Sequence, residues 1–394
     1  MVQNQKKHRK RTRVEGTVGK TMIVCFLVLF LFNLLVPDKE MSEEENRMLE
    51  GKPKLTWNGL TSGSFMSKTE DYLSDQFAGR NLWRSLKVKL NRLGGSREEN
   101  GVLIGKEGYL MEKIVSSDQE VLKENLETIE KFAGRNKDVE MYMMLVPDAA
   151  NIKSDLLPTF ATVADQNRMF AQVKRELGDS LVWLDAAQVL KDHKEEEIYY
   201  KTDHHWTSLG AFYTFGAVAE QMNIKTEVAS SYASYPVSTS FNGTLAAKSG
   251  CGLHEKERID IYVPTEMDTE VVVNYVDEQK KTTSLYDSSK LKTRDQYAVF
   301  MGGNTSLVDI KTVSESKRRL LVIKDSFANC FVPFLTPYFR EIILVDPRYY
   351  SGRIDEVMET YRISDTLFLY SGNTFFQDNN ISGVLGREQD ESEE

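Results

Sequence analysis

The apolar positions divide the chain into two regimes. From 21 to 36, "TMIVCFLVLFLFNLLV" is apolar almost throughout, with Thr21 and Asn33 its polar interruptions. Further on, short periodic stretches take over. "FMSKTEDYLSDQFAGRNLWRSLKVKLNRLGG" (65–95) places Phe65, Tyr72, Phe77, Leu82, Leu86, Leu90 and Leu93 at helical spacing, and Gly94 and Gly95 end it. "VLIGKEGYLM" (102–111) predicts a hairpin around Gly105 to Gly108. Helix and strand patterns then alternate. Residues 116–136, 164–177 and 207–222 read as helices, the last capped by Thr207 or Ser208. "VEMYMMLVP" (139–147) and "LVWLDAA" (181–187) read as strands, and 257–313 is strand-rich through "RIDIYVP", "EVVVNYV" and "QYAVFM". "RRLLVIKDSFANCFVPFL" runs strand, turn, helix, and "REIILVD" (340–346) and "DTLFLYS" (365–371) are further apolar strands.

Strands separated by helices predict an α/β fold, a doubly wound and mostly parallel sheet. The strand-rich stretch 230–315 is expected as an insertion or a sheet edge. The chain divides into a basic segment (1–20), a transmembrane signal anchor (21–37), a juxtamembrane tether and helix (38–95), the α/β domain (96–384) and an acidic tail (385–394) whose composition suits disorder.

Charge sharpens this division. Seven basic residues among 1–20 face Glu15 alone, a net +6, which leaves −15 for the rest of a chain totalling −9. A domain that acidic argues against nucleic-acid binding as its main task. The basic block ahead of the apolar run fits an uncleaved anchor or a cleaved signal peptide. The following "PDKEMSEEEN" offers no small-residue cleavage site, which favours the anchor. The positive-inside rule then places residues 1–20 in the cytoplasm and the domain outside. Sixteen residues are short for a span, and Lys20 can snorkel to complete it. Cys25, Cys251 and Cys330 form no disulfide framework.

Two stretches carry candidate chemistry. In "LLVIKDSFANCF", Ser326 follows an apolar strand and precedes a helix, where ligands sit in open α/β sheets. The bland alternative is that Ser326 is a helix cap. In "YYKTDHHWTSLGAF" (199–212), extended alternation places Asp203 beside His205 and turns His204 away. Ser326, His205 and Asp203 then have the composition of a nucleophile, its base and the base's orienter. Trp206 reads as a packing residue or a substrate platform. A metal held by Asp203, His204 and His205 is the competing reading, but no second half such as HExxH is visible. Cys251 and His254 in "CGLH" have ligand-like spacing without a partner pair. "GDS" at 178–180 is a rival nucleophile turn, but Ser180 precedes its strand.

Asp-x-His-Trp followed downstream by a strand-ending Asp-Ser resembles the SGNH-type polysaccharide O-acetyltransferases typified by the alginate acetylation proteins. The full tetrapeptide resembles the bacterial DHHW-motif family. "DQFAGRN" (75–81), "GKEGYLM" (105–111), "LVPDAANI" (145–152), "FNGTL" (241–245) and "FMGGNTS" (300–306) extend the likeness over most of residues 70–375. The resemblance implies an SGNH-hydrolase-like fold with Ser326 as nucleophile, His205 as base and Asp203 as orienter. It implies acetyl transfer to a polysaccharide hydroxyl without metal or cofactor, supplied by a membrane-bound O-acyltransferase partner. Lys-Asp-Ser stands where the family has Gly-Asp-Ser, and no Gly-x-Asn-Asp block is present. Asn304, Asn373 and Tyr370 are stand-in candidates for the oxyanion or substrate. A carbohydrate esterase with the same triad and a non-catalytic glycan-binding protein are the rival functions.

Overall fold

The computed structural model describes residues 2–42, 47–224, 232–268 and 270–386. The chain separates into two compact units, Met1–Gly94 and Gly95–Glu394.

In the first unit the apolar run lies within a helix spanning Val2–Leu35. Among the described residues this is the one helix long and apolar enough to cross a membrane, through the 18-residue window Gly16–Asn33. Asn33 turns its Nδ2 back to the Leu29 carbonyl (2.8 Å), and its Oδ1 accepts the Ala78 N–H. The tether carries a helix at Trp57–Thr61 and a strand pair, Met41–Ser42 with Arg47–Met48. The expected single helix over 65–95 is two, Ser64–Asp75 and Arg80–Leu93. The break falls at Gly79, whose φ of 69° no continuing helix accepts.

In the second unit the hairpin forms as expected, Val102–Ile104 against Leu110–Glu112. Among the described residues ten strands follow: β1 (Glu140–Val146), β2 (Val182–Trp183), β3 (Tyr232–Phe241), β4 (Glu257–Pro264), β5 (Val271–Tyr275), β6 (Lys280–Thr282), β7 (Leu307–Thr312), β8 (Arg319–Lys324), β9 (Glu341–Val345) and β10 (Asp365–Ser371). Eight make one sheet in the order β6-β5-β7-β9-β8-β10-β1-β2. From β9 to β2 every pairing is parallel. β5, β6 and β7 add an antiparallel edge. The strand-rich stretch therefore splits: part is that edge, and β3 pairs with β4 in a separate ribbon.

Helices cover both faces: α1 (Gln119–Arg135), α2 (Gln166–Leu177), α3 (Ala186–Asp192), α4 (Ser208–Val218) and α5 (Ile354–Tyr361). Strand alternation sorts the side chains. Tyr142, Met144, Leu320, Val322, Leu367 and Leu369 join a core with Phe215 of α4, while Met143, Leu321, Ile323 and Phe368 join one with Phe132, Phe170 and Val357 of α1, α2 and α5. Burial on both faces explains why these strands read as unbroken apolar runs.

Three expected elements differ. The strand at 181–187 is only β2, because Asp185 accepts the Ala187 amide and starts α3. "QYAVFM" is a 3₁₀ turn, Gln296–Val299, with Tyr297 buried. After β8 comes a 3₁₀ turn, Ser326–Cys330, and then the four-residue helix Val332–Leu335. The acidic tail from 387 lies outside the described residues.

Candidate active site

Residues 201–205 form a sequence of bends. The Glu257 carboxylate clamps them, accepting the Lys201 amide (2.6 Å), the Thr202 amide (2.8 Å) and the Thr202 hydroxyl. Thr207 caps α4 through the Gly210 amide. Within this turn Asp203 Oδ1 accepts the His205 backbone N–H (3.1 Å) and lies 2.6 Å from His205 Nδ1. Asp203 Oδ2 accepts the Thr244 amide (2.7 Å) and hydroxyl (2.9 Å), so both oxygens are committed. Gly243 lets the Thr244 segment approach: a Cβ there would fall 2.6 Å from Asp203 Oδ2 and 2.7 Å from the Thr202 carbonyl oxygen.

Ser326 follows β8, at the carboxyl edge of the parallel sheet. Asp325, not Ser326, is the cap: its Oδ1 accepts the Phe327 amide (2.9 Å) and its Oδ2 the Ser371 amide (2.9 Å). The serine hydroxyl is thereby left for His205, whose Nε2 lies 2.7 Å from Ser326 Oγ. Tyr297 stacks on the imidazole, ring centroids 3.7 Å apart at 11°, and its hydroxyl donates to the Ser326 carbonyl (3.1 Å). Ser326 is half-buried and His205 only 5% exposed, so the base is sheltered behind a reachable hydroxyl.

Burial, then the neighbouring His204 charge, pushes the His205 pKa down to about 4. The ring is neutral at pH 7, the state a general base needs. Burial alone would raise the Asp203 carboxyl, but the His204 and His205 charges and its hydrogen bonds hold it well below the carboxylate range. For His204, burial opposes the charge, yet the Asp203, Glu112, Asp325 and Asp148 carboxylates prevail and raise its pKa. With Nδ1 of His205 facing a carboxylate and Nε2 facing a hydroxyl, the arrangement can take the serine proton and stabilise the imidazolium that forms.

His204 does not turn away as alternation predicts. Its Nδ1 sits 3.0 Å from Thr244 Oγ1 and 3.6 Å from Asp203 Oδ1, with its ring 3.9 Å from that of His205. The bends at 201–205 are not extended backbone, so alternation does not apply. Trp206 is fully buried, stacked on Phe331, and donates Nε1–H to the Phe327 carbonyl. It packs the turn and is no substrate platform. Tyr370 points into the opposite core layer, fully buried with no hydrogen bond to its hydroxyl, away from any oxyanion. Asn304 accepts from Lys324 Nζ (3.2 Å) and from Asn329 Nδ2 (3.1 Å), in a network beside the Ser326 turn. Asn373 belongs to a cleft beside the β10 terminus, its backbone N–H donating to Asp148 Oδ2 (2.8 Å). Ser180 precedes β2 and lies at the amino edge of the sheet. Thr244, Gly243 and Tyr297 were not legible as site residues. "FNGTL" was the one signal, and only through the family resemblance.

One group among the described residues has metal-ligand composition, Asp203, His204 and His205, whose ligand atoms lie within 4.8 Å of one another. Those atoms are engaged in hydrogen bonds to each other, to Thr244 and to Ser326, so an ion would have to displace the contacts described above.

Fold and site together define a three-layer α/β protein with an aspartate–histidine–serine relay at the carboxyl edge of a parallel sheet. The chain belongs to the DHHW protein family, whose model matches residues 115–345. Among solved structures it is similar to a DHHW family protein from Eubacterium siraeum, with 24% identity over 73% of this chain and 96% of that one and a TM-score of 0.63. It is also similar to Bacillus cereus PatB1 with a sulfonyl adduct, with 19% identity over 72% and 99% of the two chains and a TM-score of 0.59. The O-acetyltransferase domain of Pseudomonas putida AlgJ aligns at 14% identity over 72% and 95%, with a TM-score of 0.46. A comparison with curated proteins finds no match.

Proposed function

We propose that the protein transfers an acyl group, acetyl by preference, to hydroxyls of a cell-surface or secreted polysaccharide through an acyl-enzyme on Ser326. The observation that carries this is the continuous relay from Asp203 through His205 to Ser326, with contacts of 2.6 and 2.7 Å. Ser326 Oγ attacks the donor carbonyl while His205 Nε2 takes its proton. The tetrahedral intermediate collapses, and His205 returns that proton to the departing donor group. A sugar hydroxyl then attacks the acyl-enzyme, giving its proton to His205, and collapse passes that proton to Ser326 as the ester leaves. Asp203 stays ionised and holds the imidazole tautomer. The relay uses neither metal nor cofactor. With Ser326 half-buried, water can compete with the sugar, so esterase activity is the second reading.

The Val2–Leu35 helix and the basic block support a single-pass anchor with the domain outside the cell. Acetyl-coenzyme A does not reach that side, so the donor chemistry calls for a membrane-bound O-acyltransferase partner.

The test is covalent. Sulfonyl fluorides trap activated serines, and PatB1 has a structure with a sulfonyl adduct. Phenylmethylsulfonyl fluoride should modify Ser326 of the full chain in nanodiscs, and p-nitrophenyl acetate should acetylate the same residue in a burst. Label on Ser180, or none on Ser326 by peptide mass spectrometry, would overturn the proposal. Chelation by EDTA should leave the burst unchanged.

A further inference from the structure

The helix Arg80–Leu93 sorts its side chains by chemistry. Leu82, Leu86, Leu90 and Leu93 are four, four and three residues apart, and with Trp83 they form one stripe within about 100° of arc. All five are exposed, Leu82 to 72% and Leu93 to 85%. Val88, on the opposite side, is buried. The helix is thus held to its own unit by one face and turns its broader apolar face outward. Its charged residues are five basic ones, Arg80, Arg84, Lys87, Lys89 and Arg92, with no acidic one among them. Arg80 is engaged with Asp75 at 3.5 Å, while Lys87 and Lys89 flank the stripe, one along each edge. Leucine and tryptophan bordered by lysine is the pattern of a helix that lies in the plane of a membrane surface.

The helix is also tied to the candidate span. Asn33 ends the apolar window Gly16–Asn33, and its Oδ1 accepts the Ala78 N–H at 2.6 Å, two residues before the helix begins. The chain just beyond the window is fastened to the same corner. Asp38 accepts from the Tyr72 hydroxyl (3.0 Å), and the Gln76 side chain accepts the Lys39 amide and donates to the Lys39 carbonyl, both at 2.9 Å. The first turn of the helix therefore lies beside the end of the window. Phe77 and Trp83 meet there edge to face, ring centroids 6.5 Å apart and both exposed. Tryptophan is enriched where hydrocarbon gives way to headgroups.

We propose that this stripe lies in the headgroup layer of a bilayer containing anionic phospholipid, beside the end of the span, with Lys87 and Lys89 at the level of the phosphates. The proposal rests on the single-pass anchor for its place in the cell and adds to it a second, charge-selective membrane contact. The leucines alone would equally suit an apolar groove of a protein. A lysine along each edge favours a layer with phosphates on both sides.

The test uses the full chain with Cys25→Ser, which leaves the buried Cys251 and Cys330 as native thiols. One introduced cysteine at a time carries the fluorophore NBD, in nanodiscs of phosphatidylcholine alone or mixed with phosphatidylglycerol, with doxyl-labelled lipid as quencher. Positions 81, 86 and 89 are exposed, so substitution there leaves the fold intact. NBD at Leu86→Cys should be quenched in the mixed nanodiscs, and NBD at Asn81→Cys, on the far side of the helix, should not. Lys89→Gln should lower the quenched-to-unquenched ratio at position 86 about fivefold, the weight of one basic residue near an anionic surface. Omitting phosphatidylglycerol should lower it at least as much. Equal quenching at 81 and 86, or quenching at 86 indifferent to both Lys89→Gln and phosphatidylglycerol, overturns the proposal. So does blue-shifted emission at 86 without quenching, the mark of a face covered by protein. Phe26→Cys reads the anchor separately. Quenching at 26 with none at 86 keeps the anchor and removes the docking surface, and quenching at 86 with none at 26 does the reverse.

Discussion

At the scale of single residues, the relay is set by what surrounds His205. An ordinary histidine is half-charged near pH 6.5, whereas burial and the His204 charge bring this one to about 4. Only the neutral ring accepts the serine proton. Activity is therefore retained above that value and lost as pH falls through it. The kcat/KM for p-nitrophenyl acetate should have its acid limb near pH 4 instead of 6.5. His204→Gln removes the neighbouring charge, so the limb should move upward in pH; a limb that stays put would deny His204 that influence. Ser326→Ala should cost about 10⁴-fold or more in ester turnover, since substrate binding alone survives the loss of the nucleophile. Lys324 is a residue-scale puzzle of another kind. Its ammonium is buried on Asn304 and Asn329, and burial lowers its pKa to about 8, so Lys324 is a structural post of the Ser326 turn.

At the scale of elements, the close approach of Gly243 to the Asp203 turn is a tight constraint on the site. Gly243→Ala should force the two apart, destabilising the fold by about 1–3 kcal/mol in urea denaturation and reducing acylation of Ser326 well beyond that loss of stability. Why the sequence disclosed some elements and hid others is also clear at this scale. Leu320–Ile323 and the runs at 341–345 and 365–370 were legible because strands buried on both faces are continuously apolar. The same apolarity misled at "QYAVFM", where Tyr297, Ala298 and Val299 are buried in a 3₁₀ turn, and an apolar run of that length does not distinguish the two. The pairing of Asp203 with His205 was legible for an incomplete reason. The two residues meet because an aspartate turn folds onto its own i+2 amide, and that turn also brings His204 inward. Thr244 lies 41 residues from Asp203 and Tyr297 29 from Ser326, contacts that no local pattern encodes.

At the scale of the whole molecule, the N-terminal helix and the acidic α/β unit predict a single topology. Protease added to intact cells should remove the domain and leave a membrane-held stub containing the Val2–Leu35 helix; recovery of a soluble mature chain starting near residue 38 would contradict it. The sheet order also has a consequence in time. β10, the last of the described strands along the chain, is wedged between β8 and β1, so β1 has no partner on that side until about 225 more residues exist, as the pairing Asp365 with Glu140 requires. Asp325, beside Ser326, hangs on the Leu369 carbonyl and the Ser371 amide of that same strand. Contacts so distant along the chain close slowly. A nascent or truncated chain ending before residue 365 thus carries its histidine and its serine without the strand that holds Asp325 beside that serine. If Ser326 is the nucleophile proposed above, such fragments should take no sulfonyl label on it.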